Sequence, residues 1–326
     1  MNFIIRTDAS AKIGSGHVMR CLTIAIELRK NGHEVTFWMK ELVGDMREFV
    51  QSKGFSIITE MENTDICIID HYDIDIKWER KIRPFVKKIV VIDDLANRKH
   101  DCDLLLDQNV VPNFEHRYDD LVPVHCEKLL GPRFLMMREE FIRERKNLSY
   151  KTGGVNRILI FMGGSDPTSE TLKIISALTQ HQSFSYVDVV VGNSNPHKTK
   201  IEGICMKEGY HFHCQIDYLA SLMAKADFSI GAGGSATWER CFVGLPSSST
   251  IVAENQRIST ETAEKLGVIW NLGWHEQVTV DTYKDLLRSL KDKKELLINM
   301  RKAGLKLTEQ SGGAKSWLDA ILEVTK

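Results

Sequence analysis

The chain has 326 residues and a formal net charge of -1, so it presents no global field to nucleic acid or to an anionic membrane surface. Its length suffices for two domains with full cores, and any anion it binds must be held locally. The seven cysteines, Cys21, Cys67, Cys102, Cys126, Cys205, Cys214 and Cys241, are odd in number, scattered and never spaced Cys-x-x-Cys, the usage of a reduced cytoplasmic protein.

The first apolar run, Phe3 to Ile5, is interrupted by Arg6 and Asp8, well short of the about 7 to 15 residues of an export signal. No later run approaches the roughly 20 residues of a membrane span. The expectation is a cytoplasmic globular enzyme with no membrane insertion and no nucleic-acid partner.

Phe3 to Arg6 reads as a strand, followed by the turn Arg6-Thr7-Asp8-Ala9-Ser10 and the loop Gly14-Ser15-Gly16-His17. An amphipathic helix follows, apolar at Val18, Cys21, Leu22, Ala25 and Leu28. Glycines at this position allow close approach of a ligand, and the start of the helix offers unpaired N-H groups to an anion. Ordinary phosphate loops carry glycine or lysine there, whereas an imidazole can also move a proton near neutral pH. The alternative is a tight turn in which His17 merely caps the helix.

Further strand-like runs are Val35 to Met39, Phe55 to Thr59, Ile66 to Asp70, Ile89 to Asp93 and Leu104 to Asp107, alternating with helix-like segments. Such alternation predicts a parallel sheet covered on both faces, and continuous runs such as Ile89-Val90-Val91-Ile92 suit buried strands. A charged stretch from Arg138 to Lys146 then leads through Ser149 to Gly153-Gly154. We place the domain boundary there, giving domains 1–150 and 151–326.

The second half opens as the first does, with a strand Arg157 to Met162, a loop Gly163-Gly164-Ser165-Asp166-Pro167 and a helix from Ser169 to Leu178. Val187 to Val191, Tyr210 to His213, Phe228 to Ile230 and Ser249 to Val252 read as its other strands. Two such α/β halves facing across a cleft would bind ligands at the carboxyl ends of their strands. The loop Gly163 to Pro167 also reads as a plain turn with a helix N-cap.

The sharpest glycine loop is Gly231-Ala232-Gly233-Gly234-Ser235, leading into a helix that carries Glu239. Ser235 and Glu239 are four apart and share a helix face. With backbone N-H groups on a diphosphate, Glu239 could accept hydrogen bonds from both ribose hydroxyls; otherwise it is a first-turn acid favoured by the helix dipole. Gly244-Leu245-Pro246 and the amide pair Asn255-Gln256 follow. His211 and His213 share a strand face but lack partners at metal-ligand spacing.

Gly-Gly-Ser-Ala-x-x-Glu, Gly-Leu-Pro and Asn-Gln resemble the nucleotide-binding half of GT-B-type glycosyltransferases such as the peptidoglycan N-acetylglucosaminyl transferase. The opening, Arg6 to Ser10 with Ile13 to Leu22, is similar to the PseG-type UDP-sugar hydrolases of pseudaminic acid biosynthesis and their spore-coat polysaccharide relatives. The similarity continues through Asp70-His71-Tyr72, Ile92 to Ala96, Leu106 to Asn109 and Gly163 to Asp166. The tail after Trp270 carries no motif of that family.

The resemblance implies a GT-B-like fold of two Rossmann-like domains. It further implies release of UDP from UDP-2,4-diacetamido-2,4,6-trideoxy-β-L-altropyranose by water, with inversion at the anomeric carbon and with neither metal nor cofactor. It makes His17 the general base and places Tyr72 near the sugar. Asp8, Gly14, Ser15, Gly16, Arg20, Asp70, Asn109, Gly164, Ser165 and Asp166 fall on the substrate side. Gly233, Gly234, Ser235, Glu239, Asn255 and Gln256 fall on the nucleotide side. Asp8, Asp70 and Asp94 are equal candidates to orient the His17 ring. A GT-B transferase, a hydrolysing nucleotide-sugar 2-epimerase and a non-catalytic nucleotide-sugar-binding subunit are the alternatives.

Overall fold

The computed structural model describes residues 1–10, 13–148, 154–180, 184–309 and 316–324. The chain divides into two compact α/β units, the first built from residues 1–136 and the C-terminal segment, the second from Met137–Glu309.

In the first unit the order is β1 (Asn2–Thr7), α1 (Gly16–Lys30), β2 (Glu34–Trp38), α2 (Arg47–Ser52), β3 (Ser56–Ile58), β4 (Thr64–Asp70), α3 (Ile76–Ile82), β5 (Val86–Ile92), β6 (Leu104–Asp107) and β7 (Glu127–Leu130). All seven strands are parallel, in the order β3-β2-β1-β4-β5-β6-β7. Central strands read as unbroken apolar runs because both sheet faces are covered. Ile66, Ile68, Val90 and Ile92 enter one core, while Cys67, Ile69, Ile89 and Val91 enter the core on the opposite face. The winding reverses between β1 and β4, and the register sets Thr7 beside Asp70 at their carboxyl ends. Ligand crevices of doubly wound sheets open at such reversals.

The second unit runs α4 (Glu139–Lys146), β8 (Arg157–Phe161), α5 (Glu170–Thr179), β9 (Tyr186–Val191), α6 (Lys198–Glu208), β10 (His211–Cys214), α7 (Leu219–Lys225), β11 (Phe228–Ala232), α8 (Ala236–Phe242), β12 (Ser247–Ile251), α9 (Arg257–Lys265), β13 (Trp270–Trp274), α10 (Val280–Ser289) and α11 (Lys294–Leu307). Its six parallel strands follow the order β10-β9-β8-β11-β12-β13, reversing between β8 and β11. Both glycine loops of this half follow those two strands.

The expected boundary at residue 150 moves. The charged stretch is not a linker but helix α4, with Phe141 fully buried and Arg145 donating to the Phe242 and Leu305 carbonyls at 2.6 and 2.9 Å. The chain therefore enters the second unit at Met137; residues 149–153 of the expected linker lie outside the described residues. The tail also departs from a simple division at 150, because α12 (Trp317–Glu323) returns Trp317, Ala320 and Ile321 to the core of the first unit. All seven cysteines are free thiols. Among the described residues, no helix is long and apolar enough to cross a membrane.

Candidate active site

The loop between β1 and α1 is closed by a bridge in which the Gly14 N-H donates to the Ser10 carbonyl at 2.8 Å. Gly14 has φ +80°, which favours glycine. At Gly16 a Cβ would meet none of the described residues within 4 Å, so no packing contact among them demands a glycine there.

Helix α1 lays its apolar face on the sheet, and the same turn carries His17, Arg20 and Cys21 to the end of β4. His17 Nδ1 lies 2.6 Å from Asp70 Oδ1. Arg20 grips the same carboxylate with Nε at 2.8 Å and a terminal nitrogen at 2.7 Å, and the Cys21 thiol donates to it at 3.6 Å. Residues three and four apart on a helix are neighbours, so this one turn surrounds a fully buried carboxylate. Tyr72, just past the strand end, sets its ring edge-on to the imidazole with centroids 4.4 Å apart.

Burial opposes ionisation of Asp70, but the charges and hydrogen bonds of Arg20 and His17 outweigh it and hold the carboxyl below its ordinary range. Burial likewise opposes a charged His17. The Asp70 carboxylate outweighs it, Arg20 pulls the other way and Asp94 adds to Asp70, leaving His17 more basic than an ordinary histidine. The carboxylate fixes the proton on Nδ1, so the neutral ring presents the Nε2 lone pair. Among the described residues no hydrogen bond engages Nε2.

Of the three acids equal in the sequence, geometry selects Asp70. Asp8 is committed elsewhere: both of its oxygens take Arg6 at 2.7 and 2.6 Å, with the Lys40 N-H at 2.8 Å and His71 at 3.2 Å. Burial would raise its pKa, yet those donors hold it well below the carboxylate range. Asp8 is thus a buried ion pair, not a surface offered to a substrate. Arg20, expected on the substrate side, is an inner clamp on Asp70 that also reaches Asp94 at 3.6 Å. The Asn109 N-H donates to Asp107 at 2.9 Å, within a cluster where Arg117 and the Tyr118 hydroxyl also meet Asp107.

In the second unit, Asp166 has φ +44° and its carboxylate accepts the Glu170 and Thr171 N-H groups at 2.9 Å each. It is a helix cap, buried to 2% exposure. Gly164 is a contact point for the chain itself, since its carbonyl accepts the Gly192 N-H at 3.0 Å; Ser165 stays half-buried beside it.

At the other loop, a Cβ on Gly233 would come within 2.2 Å of Thr260 Oγ1, and one on Gly234 within 3.4 Å of Gln256 Nε2. Gln256 is therefore packed over the glycines, its Oε1 accepting the Val252 N-H at 3.1 Å. Asn255 precedes it in the exposed turn after β12, and Ser235 leads into α8. Glu239 accepts from Arg138 at 3.1 Å, a partner that the sequence reading missed because the pair is separated by 101 positions. His213 is bound by Asp188 and Tyr218 at 3.1 and 3.0 Å. Among the described residues no group of three or more His, Cys, Asp or Glu is placed to hold a metal ion.

Two doubly wound parallel sheets of this order define a GT-B-type fold. Structural likeness agrees: the spinosyn rhamnosyltransferase SpnG has a TM-score of 0.67 at 12% identity over 99% of both chains. MurG of Acinetobacter baumannii scores 0.63 at 12% identity over 94% of each.

In sequence, the chain is 26% identical over 279 residues to the UDP-2,4-diacetamido-2,4,6-trideoxy-β-L-altropyranose hydrolase of Campylobacter jejuni subsp. jejuni, covering 82% of this chain and 97% of that one. It is 23% identical to the Bacillus subtilis spore coat polysaccharide biosynthesis protein SpsG, over 96% and 95% of the two chains. It is 28% identical to the uncharacterized protein MJ1062 of Methanocaldococcus jannaschii over 76% of its own length, spanning about half (54%) of that relative. No family model matches the chain. Along most of its length the protein is thus a homologue of the PseG-type UDP-sugar hydrolases and of SpsG.

Proposed function

We propose that the protein hydrolyses UDP-2,4-diacetamido-2,4,6-trideoxy-β-L-altropyranose to UDP and the free 2,4-diacetamido-2,4,6-trideoxy hexose, a cytoplasmic step toward pseudaminic acid. The observation that carries this reading is the Arg20–Asp70–His17 array at the winding reversal of the first sheet. A module that merely binds nucleotide gains nothing from an imidazole whose inner nitrogen is held by a buried carboxylate.

His17 Nε2 accepts a proton from water as the water oxygen bonds to the anomeric carbon. The bond from that carbon to the diphosphate oxygen breaks, and UDP departs with the electron pair. Attack opposite the leaving group inverts the anomeric centre. Positioned base catalysis contributes typically 10²–10⁴-fold. UDP is a good leaving group, and its charge is met by the loop Gly231 to Ser235 together with Asn255 and Gln256, with Glu239 on the ribose. Nucleoside-diphosphate binding by proteins of the same fold, HepE of Anabaena with UDP-glucose and SpnG with thymidine diphosphate, supports that assignment.

Glu239 would exchange its Arg138 contact for the ribose, or share it. The test is incubation of the pure protein with a panel of UDP-sugars, following UDP release and the first-formed anomer by NMR. Release without any acceptor supports hydrolysis. Release only on adding a sugar acceptor makes the protein a transferase, and no release under either condition leaves a binding subunit.

A further inference from the structure

The second unit buries one guanidinium beneath its second glycine loop. Arg240, on helix α8, is fully buried, yet among the described residues no carboxylate forms an ion pair with it. Its Nε donates to Ser247 Oγ at 3.0 Å, and one terminal nitrogen donates to Ser249 Oγ at 2.9 Å, Thr237 Oγ1 at 3.1 Å and the Ala232 carbonyl at 3.0 Å. Every acceptor is neutral. The other terminal nitrogen has no hydrogen-bond partner among the described residues and lies directly under Gly231, where a Cβ would come within 2.4 Å of it. Burial pushes the guanidinium down to about 10, with Cys241 and Glu239 opposing.

An uncompensated buried cation is expensive, and well-packed apolar residues commonly serve a core at least as well. Arg240 sits in a short helix whose Trp238, Cys241 and Phe242 are also buried, with the polar Thr237 one turn before it on its own face. Its polar surroundings are chosen to hold the charge without cancelling it: Ser247 and Ser249 stand beside Ser229 and Gly231 in the β11–β12 register. The charge lies behind the one loop where a polyanion is proposed to bind.

We infer that Arg240 is the fixed positive charge of the nucleotide site, acting from behind the Gly231–Ser235 loop to favour a diphosphate without touching it. The inference rests on the proposed nucleotide role of that loop. Arg240 is a positioning and electrostatic residue, not a catalytic one. Its buried charge is compensated when the ligand anion arrives, which makes recognition depend on the number of phosphate charges.

Two substitutions separate charge from shape. Arg240→Lys keeps the charge and loses the fork; Arg240→Gln keeps a donor and loses the charge. Affinities for UDP and for uridine are measured by calorimetry and ligand-observed NMR. Arg240→Gln should weaken UDP about 30-fold, roughly 2 kcal/mol at 1.4 kcal/mol per tenfold, with uridine changed less than about threefold. Arg240→Lys should retain UDP within about fivefold. Equal losses for UDP and uridine, or equal losses in both variants, make Arg240 a structural tie and overturn the inference. If neither variant folds, the assigned Arg240 guanidinium nitrogen signals of the wild-type protein are followed: saturating UDP should move them and uridine should not, and signals unmoved by UDP overturn the inference. Wild-type protein that binds no UDP refutes the nucleotide site itself, whereas wild-type binding with undiminished Arg240→Gln binding refutes only the role of Arg240.

Discussion

Asp70→Asn is the most informative single change in the first unit, because it preserves shape and removes one charge. The carboxylate lies 2.6 Å from His17 Nδ1 and is gripped twice by Arg20. Two unit charges about 4 Å apart interact by about 4 kcal/mol at an effective dielectric constant near 20. Losing that support for the imidazolium that forms as water is deprotonated should lower kcat about 10³-fold, with KM and UDP affinity within about threefold. The acid limb of the rate profile should also shift. Asp70 raises the His17 pKa above 6.5, so its removal moves the limb to lower pH. Stranding the Arg20 charge costs about 3–5 kcal/mol of stability. The variant is therefore compared with the double variant Arg20→Met/Asp70→Asn, which removes the stranded charge. The assay is steady-state UDP release from about pH 5 to 9, alongside thermal melts. A folded Asp70→Asn protein with kcat within tenfold of wild type, or with an unmoved acid limb, refutes the assignment of Asp70 as the group that positions and supports the base.

Arg20→Met alone should move the acid limb to higher pH, because Arg20 lowers the basicity that Asp70 confers; a shift downward contradicts the clamp. Gly16→Ala should fold with an unchanged melting temperature, since its Cβ meets none of the described residues within 4 Å, yet raise KM at least tenfold if the substrate approaches that surface; unchanged kinetics remove Gly16 from the site. Glu239→Ala should weaken UDP binding about tenfold or more with little effect on the His17 rate profile, measured by calorimetry and by pH-rate analysis, and unchanged UDP affinity means the ribose contact is elsewhere. On acidification, Asp8 and Asp70, both held below the usual range, contribute stability that is present above about pH 4 and lost as pH falls further. Asp8→Asn should therefore flatten the stability loss seen in acid denaturation.

The alternation of apolar runs made both sheets readable, because strands buried on two faces favour unbroken apolar stretches such as Ile89 to Ile92. Strand β7, Glu-Lys-Leu-Leu, has only four residues and no such pattern; it pairs with β6 while Leu129 and Leu130 enter the cores on opposite sheet faces. The loop Gly14 to His17 announced a histidine at a strand-to-helix junction. The choice of Asp70 over Asp8 was not legible, because Arg6 and the Lys40 N-H capture Asp8 through the neighbouring strand β2. Likewise the resemblance places Gly233 on the nucleotide side, and nothing local in the sequence shows that Thr260, delivered by a later helix, also requires a glycine there. Pairings across long separations, such as Arg138 with Glu239, leave no local pattern to read.

Hydrolysis as proposed requires that water displace UDP at the anomeric carbon. Its most direct measurement is a single turnover of UDP-2,4-diacetamido-2,4,6-trideoxy-β-L-altropyranose in ¹⁸O-labelled water, with the UDP β-phosphorus observed by ³¹P NMR and the newborn sugar by ¹H NMR. Unlabelled UDP and an initially inverted anomer are expected. Label on the β-phosphorus, a retained anomer, or no UDP without an added acceptor would contradict that displacement.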